Sequence, residues 1–251
     1  MAHVRQECRL HWGASKLNGI KLRAVPETPR KQEVPAGTRQ RRGGAKGTRP
    51  AADDDRSAAS REALLAAARE LFTTRGYAAT NMTDIVAKAG TSVGLPYYYF
   101  GSKRKIFVTL WSDYQAKQEA RTRLAITSAR AAGETDGGRL LVLGMRAYLE
   151  GAWEARDLIP MMNGHDRPSG FDSVVEETNR RWAKRNSALL ASEDPVIARV
   201  ANVILLSSIG GMSVELAGCH AEAKARTLID RAVELWTAVI ERAQVKAATS
   251  A

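Results

Sequence analysis

Apolar residues recur at helical spacing through most of the chain beyond residue 57. The first such segment covers about residues 59–75, and its apolar stripe consists of Leu64, Leu65, Ala68, Leu71 and Phe72. Spacings of three and four residues place this stripe on one face of a helix, and Gly76 suits the left-handed position just beyond a helix end. Period-two alternation is rare and proline is sparse, so the pattern predicts an all-α protein.

A second, shorter helix is predicted between Asn81 and Gly90. Asn81 and Asp84 form a weak capping box at its start. A tight turn at residues 90–92 then leads into a third short helix that lies across the second. A helix held in this way can enter the major groove of DNA, so the pattern itself indicates a helix-turn-helix at residues 82–101.

The start of the third helix is unusual. Ser92 is placed to cap a helix that runs through Phe100. Pro96 would then lie inside that helix, where its missing N–H group removes a backbone hydrogen bond. We therefore expect the helix to begin nearer Leu95, with Pro96 at its first position.

The remainder of the chain is predicted to form a larger helical body. A long helix begins at about Lys103, and five or six more follow. The breaks between them fall at residues 133–138, near 160, and at 164–170, 193–195 and 218–220. Three parts result: an arm at 1–56, a three-helix unit at 57–118, and a helical bundle at 119–251.

Two runs in the N-terminal unit resemble the tetracycline-repressor-type (TetR/AcrR) family of transcription regulators. These are AARELFTTRGYAATNMTDIVAKAG at residues 67–90 and YYYFGSK at residues 97–103. The resemblance covers about residues 60–110, whereas residues 111–251 match only in length and helical character. It implies a ligand-responsive dimeric repressor, with a DNA-binding domain followed by a ligand-binding and dimerisation domain.

The resemblance also implies which residues contact double-stranded DNA. The recognition helix corresponds to residues 92–100, in which residues 93–95 face base edges and the two tyrosines meet bases or the backbone. Residues at the start of helix two donate to a phosphate, and the lysine after the motif grips another. The predicted set is Thr80, Asn81, Thr83, Ser92, Val93, Gly94, Leu95, Tyr97, Tyr98 and Lys103. Val93 stands where many relatives have Lys or Arg, which favours apolar contacts to thymine methyl groups.

A homodimer is expected from the two last long helices. The segment at residues 196–216 is apolar on nearly every side, so it must be buried on several faces. The predicted interface consists of Val203, Leu206, Gly210, Leu228, Leu235, Trp236 and Val239. A two-fold dimer implies a palindromic operator with half-sites about 34–36 Å apart. Packing within one chain is the alternative reading of the same residues.

Between these helices and the DNA-binding unit we expect a pocket for a small apolar ligand that weakens operator binding. Methionine and aromatic side chains suit an adaptable pocket. The candidate residues are Trp111, Tyr114, Tyr148, Trp153, Met161, Met162, Phe171 and Trp182. Each of them could instead be an ordinary core residue.

Net charge strengthens the DNA hypothesis. The chain carries a net charge of +11, and residues 1–58 hold 13 basic against 6 acidic residues. The arm at 1–56 is predicted to be disordered, and it is either a solvated tail, a DNA-clinging segment or the product of a wrongly chosen start codon. A non-specific nucleic-acid binder, and a helical ligand-binding module with a degenerate DNA unit, remain alternatives.

Other classes of protein receive little support. Gly90 to Gly94 matches the Gly-x-Ser-x-Gly pattern of hydrolases, but that motif needs a preceding strand, so no enzyme is predicted. His3, Cys8 and His11 lack a fourth metal ligand, and no cofactor or metal is expected. Two cysteines fit a reducing cytoplasm. The most apolar stretch, residues 200–212, is shorter than the ~20 residues of a membrane span, so no membrane partner is expected.

Overall fold

The computed structural model describes residues 51–186, 189 and 194–244, with side chains from Arg56 onward. This part of the chain contains helices and no strand, which confirms the all-α prediction. The helices are α1 (Ala51–Arg75), α2 (Met82–Ala89), α3 (Leu95–Tyr99), α4 (Lys103–Ala131), α5 (Gly137–Glu154), α6 (Leu158–Asn163), α7 (Phe171–Asn186), α8 (Pro195–Ala217) and α9 (Glu222–Gln244).

Helix α1 begins earlier than its apolar stripe indicates. The predicted start was near residue 59, whereas the helix begins at Ala51. The end of the predicted arm at 1–56 therefore belongs to α1, and its residues 1–50 lie outside the described residues.

The ends of α2 and α3 can be compared with the capping residues and the proline that the sequence places there. The backbone N–H of Asn81 donates to the Asp84 carboxylate at 2.8 Å, as a cap at Asn81 requires. Helix α3 begins at Leu95, so the late start is confirmed, with Pro96 at the second position rather than the first. Ser92 is not its cap: Gly94 holds that position, and the carbonyl of Ser92 accepts the N–H of Leu95 at 3.1 Å.

The buried apolar residues form two clusters. The first joins α1, α2 and the N-terminal half of α4 to α6 and to Phe171 at the start of α7. The second joins α5, α8 and α9. The DNA-binding unit therefore shares a core with α6 and α7, although these helices lie far beyond it in sequence.

Helices α4 and α5 connect the two clusters and lie unusually close together. A Cβ atom on Gly151 of α5 would overlap the Gln118 side chain of α4. Gln118 is buried, and its amide donates to the Tyr114 hydroxyl at 2.9 Å and to the Tyr148 carbonyl at 3.1 Å. The absence of a side chain at residue 151 lets this polar bridge join the two helices.

Helix α8 alters one expectation. It has 23 residues, and among the described helices it is the one long and apolar enough to cross a membrane by length and composition. The apolar segment is therefore longer than the predicted stretch at residues 200–212. Only 28% of its most apolar window is buried within the chain, so much of this apolar surface has no covering among the described residues.

Replacing Gly90 with alanine is expected to lower the free energy of unfolding by about 1–2 kcal/mol, because φ there is +63° and a Cβ atom is disfavoured in this region. Space is not the reason, since nothing lies within 4 Å of that Cβ position. Gly94 has the same open space but a φ of −75°, so Gly94→Ala is the matched control and should leave stability unchanged or slightly raised. Urea unfolding measures both variants, and equal effects would contradict the argument.

Candidate DNA interface and ligand cavity

Helix α3 is anchored on one side and exposed on the other. Pro96 and Phe100 are buried against α1 and α4, and the hydroxyls of Tyr99 and Ser57 share a hydrogen bond of 2.9 Å. These contacts give a helix of only five residues a defined orientation that it could not maintain alone.

The exposed side of α3 carries most of the predicted base-reading residues. Val93 is 64% exposed, Tyr97 54% and Tyr98 71%, and Gly94 is exposed beside them. We call Val93, Gly94, Tyr97 and Tyr98 the recognition face. Val93 and Gly94 lie in the turn directly before α3, and Tyr97 and Tyr98 lie on the helix itself. Leu95 differs, because it is half-buried and packs against the first core cluster.

Basic residues adjoin this face. A shallow hollow of about 380 Å³ is lined by Tyr97 and Tyr98 together with Arg104 and Lys105 of α4. Both follow Lys103 directly, so the sequence already indicates a basic surface here, although the predicted set of contacts does not include them. Two cations next to two exposed aromatic rings suit contact with a phosphate backbone.

Two predicted phosphate contacts are wrong. Thr80 is fully buried, and its hydroxyl donates to the carbonyl of Gly76 at 2.7 Å. The ammonium group of Lys103 donates to the carbonyls of Tyr77 and Thr80, at 2.7 Å each, and lies 4.2 Å from the centre of the Tyr77 ring. Both residues therefore hold the segment between α1 and α2 in place. The spacing of the motif identified the positions but could not show that their polar groups point inward.

Asn81 and Thr83 at the start of α2, and Ser92 in the turn, are exposed. Their positions are compatible with phosphate contacts, which stay predictions. The buried hydroxyl oxygen of Thr91 has no hydrogen-bond partner among the described residues.

The segment between α6 and α7 reaches back to the DNA-binding unit. The Asp166 carboxylate accepts the backbone N–H of Ala78 at 2.9 and 3.1 Å. Arg104 donates to the carbonyl of Ser169 at 3.2 Å. A third tether joins α1 to the residue before α6, where Arg69 and Asp157 form a two-point ion pair at 2.7 and 2.9 Å.

A cavity of about 690 Å³ lies between α4, α5 and α7. Three of the predicted pocket residues line it: Trp111, Tyr148 and Trp182. Its size falls within the range of about 300–1,000 Å³ that is common for ligand pockets. The remaining lining is more polar than expected and includes several arginines.

The other five predicted pocket residues do not line this cavity. Tyr114, Met161, Met162 and Phe171 are buried in the first core cluster, and Trp153 packs against the second with Arg156 over its ring at 4.2 Å. The alternative reading as core residues is correct for them. A stripe of aromatic and methionine residues looks the same in a sequence whether it faces a cavity or a neighbouring helix.

Two titratable groups in the cavity wall, on Tyr148 and Glu119, have pKa values shifted in opposite directions. Burial raises the pKa of Tyr148, against the opposite effect of its hydrogen bonds with Tyr114 and Gln115. Burial raises the pKa of Glu119, but hydrogen bonds and charge from Arg185 and Arg123 outweigh it, so its net pKa lies below the ordinary value. The phenol is therefore neutral and the carboxylate ionised at neutral pH.

A second surface, on α8 and α9, is apolar and exposed. One row of exposed residues on α8 repeats at spacings of three and four, and it consists of Val196, Val200, Val203, Ser207, Gly210 and Val214. We call them the α8 stripe. A groove of about 680 Å³ separates its first half from Leu235, Ala238 and Val239 of α9.

The predicted dimer residues divide accordingly. Val203, Gly210 and Leu235 are exposed, whereas Leu206, Leu228 and Val239 are half-buried. Trp236 was predicted wrongly, because it is 4% exposed and its indole N–H donates to the Ser208 hydroxyl at 2.8 Å. It joins α8 to α9 within one chain.

Among the described residues, no group of three or more His, Cys, Asp or Glu side chains could hold a metal ion, and His3, Cys8 and His11 lie outside them.

The arrangement of a short exposed helix on a three-helix unit, followed by a helical body with a cavity, defines the class of helix-turn-helix transcriptional regulators. Residues 64–110 match the sequence model of the family described as "Bacterial regulatory proteins, tetR family". Residues 64–110 of this chain are therefore similar to that family, and the fold of the described residues agrees with this similarity.

Solved structures support the fold beyond the matched segment. A TetR-like transcriptional regulator from Rhodococcus sp. RHA1 is similar at 22% identity, covering 73% of this chain and 94% of that one, with a TM-score of 0.54. NalD, the secondary repressor of the MexAB-OprM multidrug efflux pump in Pseudomonas aeruginosa, is 19% identical over 77% and 99%, with a TM-score of 0.57. FadR from Bacillus subtilis, in complex with stearoyl-CoA, is 15% identical over 71% and 98%, with a TM-score of 0.57. No curated protein sequence matches this chain.

Lys103→Met is expected to lower the free energy of unfolding by about 1–3 kcal/mol, because two carbonyls lose a charged donor. Lys105→Met is the matched control: it removes the same charge two residues further along α4, where the lysine is exposed. Urea unfolding without DNA should separate the two variants. If they unfold alike, Lys103 is not the tether described above.

Proposed function

We propose that this protein is a sequence-specific DNA-binding transcription regulator that acts as a ligand-responsive homodimeric repressor on a palindromic operator. The recognition face carries this proposal, because it projects exposed residues from a helix whose other side is buried. Large exposed tyrosines have no role in the core here, and they suit contact with sugar, phosphate or base edges. The family and the structural neighbours are described as transcriptional regulators. Such a protein works beside chromosomal DNA, in the cytoplasm.

A gel shift on the DNA upstream of the protein's own gene tests this function directly. A specific regulator retains its complex in the presence of scrambled competitor DNA. A non-specific basic binder loses the complex to that competitor and shows a steep salt dependence. A helical module with a degenerate DNA unit forms no complex at all. Either of these two results would replace the proposal.

Tyr98→Ala is expected to weaken operator binding by roughly tenfold or more, since a base or phosphate contact contributes about 1–3 kcal/mol. Tyr98 is 71% exposed, so the melting temperature should stay unchanged. Leu124→Ala, at an equally exposed apolar residue of α4, is the control for altered surface. Fluorescence anisotropy with labelled operator measures all three proteins, and undiminished affinity of Tyr98→Ala would remove this residue from the recognition face.

Dimerisation through α8 and α9 is supported by the α8 stripe. Its exposed valines continue for five turns, and apolar surface of this extent marks an interaction site. Gly210 and Gly211 are exposed with nothing within 4 Å of a built Cβ atom, so packing within one chain does not require them to be glycine. Close approach of a second copy of α8 gives both glycines a role. Alternating spacings of three and four residues are also those of paired helices.

Val203→Glu is expected to convert the dimer to a monomer, because a charge would be buried at the centre of the α8 stripe. Helical content should persist, since Val203 is 58% exposed in one chain. Leu124→Glu is the matched control, an exposed leucine outside this surface. Light scattering gives the mass, and operator affinity should fall about a hundredfold when the two half-sites are no longer bound together. A monomeric wild-type protein would contradict the proposed dimer.

The ligand response is supported by a row of ring contacts between the cavity and the segment before α2. Trp111 lines the cavity and contacts Phe171, with ring centres 5.4 Å apart. Phe171 contacts Phe107 at 5.0 Å, and Phe107 contacts Tyr77 at 5.4 Å. A ligand that favours one arrangement of α7 over another would thereby favour one orientation of the DNA-binding unit. One neighbour is described as a repressor and another as a complex with stearoyl-CoA, which agrees with a repressor that takes a ligand.

A further inference from the structure

The cavity between α4, α5 and α7 is lined by an excess of positive charge. Among the described residues that line it, Glu119 alone is acidic. Five basic residues line it, and they are Arg123, Arg130, Arg181, Lys184 and Arg185. Two of these lie on α4 and three on α7, so both helices contribute cations to the cavity lining. The sequence predicts a basic arm and a basic DNA-binding unit, and this third basic site is not explained by either.

Glu119 is shared by two of these cations. Its carboxylate oxygen Oε1 accepts from Arg123 on the same helix at 2.8 Å and from Arg185 on α7. One carboxylate cannot neutralise two guanidinium groups, so the cluster keeps a surplus positive charge. Each guanidinium also has five N–H donors, most of which the single oxygen leaves available for another acceptor.

The rest of the cavity is apolar and aromatic. Trp111, Trp182 and Val174 form much of its wall, and Tyr148 contributes a ring from α5. The hydroxyl of Tyr148 is engaged with Tyr114, so it adds no charge. The lining of the cavity therefore combines apolar, aromatic side chains with several cationic ones.

We infer that this cavity binds an organic anion with an apolar body, whose acidic group lies between Arg123 and Arg185 and whose body packs against Trp111 and Trp182. The inference deepens the proposed ligand response and rests on that function. It replaces the small apolar ligand expected from the sequence. A neutral apolar molecule leaves the surplus charge unpaired, and a lipophilic cation is repelled by it.

A matched pair of fluorescent probes tests the inference on the full-length protein. These are 8-anilinonaphthalene-1-sulfonate, which is an anion, and N-phenyl-1-naphthylamine, which has the same ring system without the sulfonate. Both can also bind the α8 stripe, so the measured quantity is the ratio of their dissociation constants and its change on mutation. The part of the tryptophan quenching that is lost in a Trp111→Phe/Trp182→Phe variant reports on occupancy of the cavity, because both residues line it.

The double variant Arg123→Gln/Arg185→Gln should lose about tenfold or more in affinity for the anionic probe, and little for the neutral one. Glu119→Gln should have the opposite effect, a gain of roughly threefold for the anion, because it removes the competing carboxylate. Near-UV circular dichroism must match that of the wild-type protein, because a partly folded variant also binds this probe through exposed apolar surface. Arg226→Gln on α9 is the control, since it removes an exposed, ion-paired arginine far from the lining residues.

The inference is overturned if the wild-type protein binds the neutral probe as tightly as the anion, or if the preference survives in the double variant. An unchanged or weakened anion affinity in Glu119→Gln would also overturn it. The outcome is independent of operator binding, which the gel shift measures without any probe. Loss of the operator complex with the probe preference intact would contradict the proposed function alone, and the reverse result would contradict only the inferred ligand class.

Discussion

The edge-to-face contact between Phe107 and Phe171 is the interaction on which the rest of this structure depends. The two rings lie 5.0 Å apart and are both nearly inaccessible to solvent. Phe107 belongs to the first turns of α4, directly after the helix-turn-helix, and Phe171 begins α7, which lines the cavity. Because the contact closes over 64 residues of chain, it fixes the DNA-binding unit against the body more firmly than the chain connection alone could.

Hydrogen bonds around this contact orient the DNA-binding unit relative to the segment before α7. Asp166, Arg104 and Lys103 each bond to backbone groups of another segment rather than to a side chain. Because these hydrogen bonds join backbone groups, a shift of the segment at residues 164–170 would also move Ala78, which lies just before α2. The contacts between the cavity wall and the DNA-binding unit therefore combine edge-to-face rings with directional hydrogen bonds.

The recognition face and the cavity follow one physical rule. In each, aromatic residues lie beside basic ones: Tyr98 lines the same hollow as Arg104, and Trp182 lines the same cavity as Arg185. DNA and an amphiphilic anion both present negative charge next to flat apolar groups. The same pairing of residue types therefore suits both partners, whereas the α8 stripe, which is apolar with few charges, suits a second copy of the chain.

The helices, their order and the helix-turn-helix followed from the sequence, because spacing, caps and glycines act over a few residues. Leu95 as the start of α3 could be read from Pro96 alone, since proline constrains its own backbone. The inward-pointing roles of Thr80 and Lys103, the separation of Trp182 from Met162, and the burial of Trp236 could not. These depend on which helix lies against each side chain, and the pattern of one helix does not specify its neighbour. Tertiary packing alone decided which aromatic residues line the cavity and which lie in the core. It also decided that cations from α4 and α7 line the same cavity.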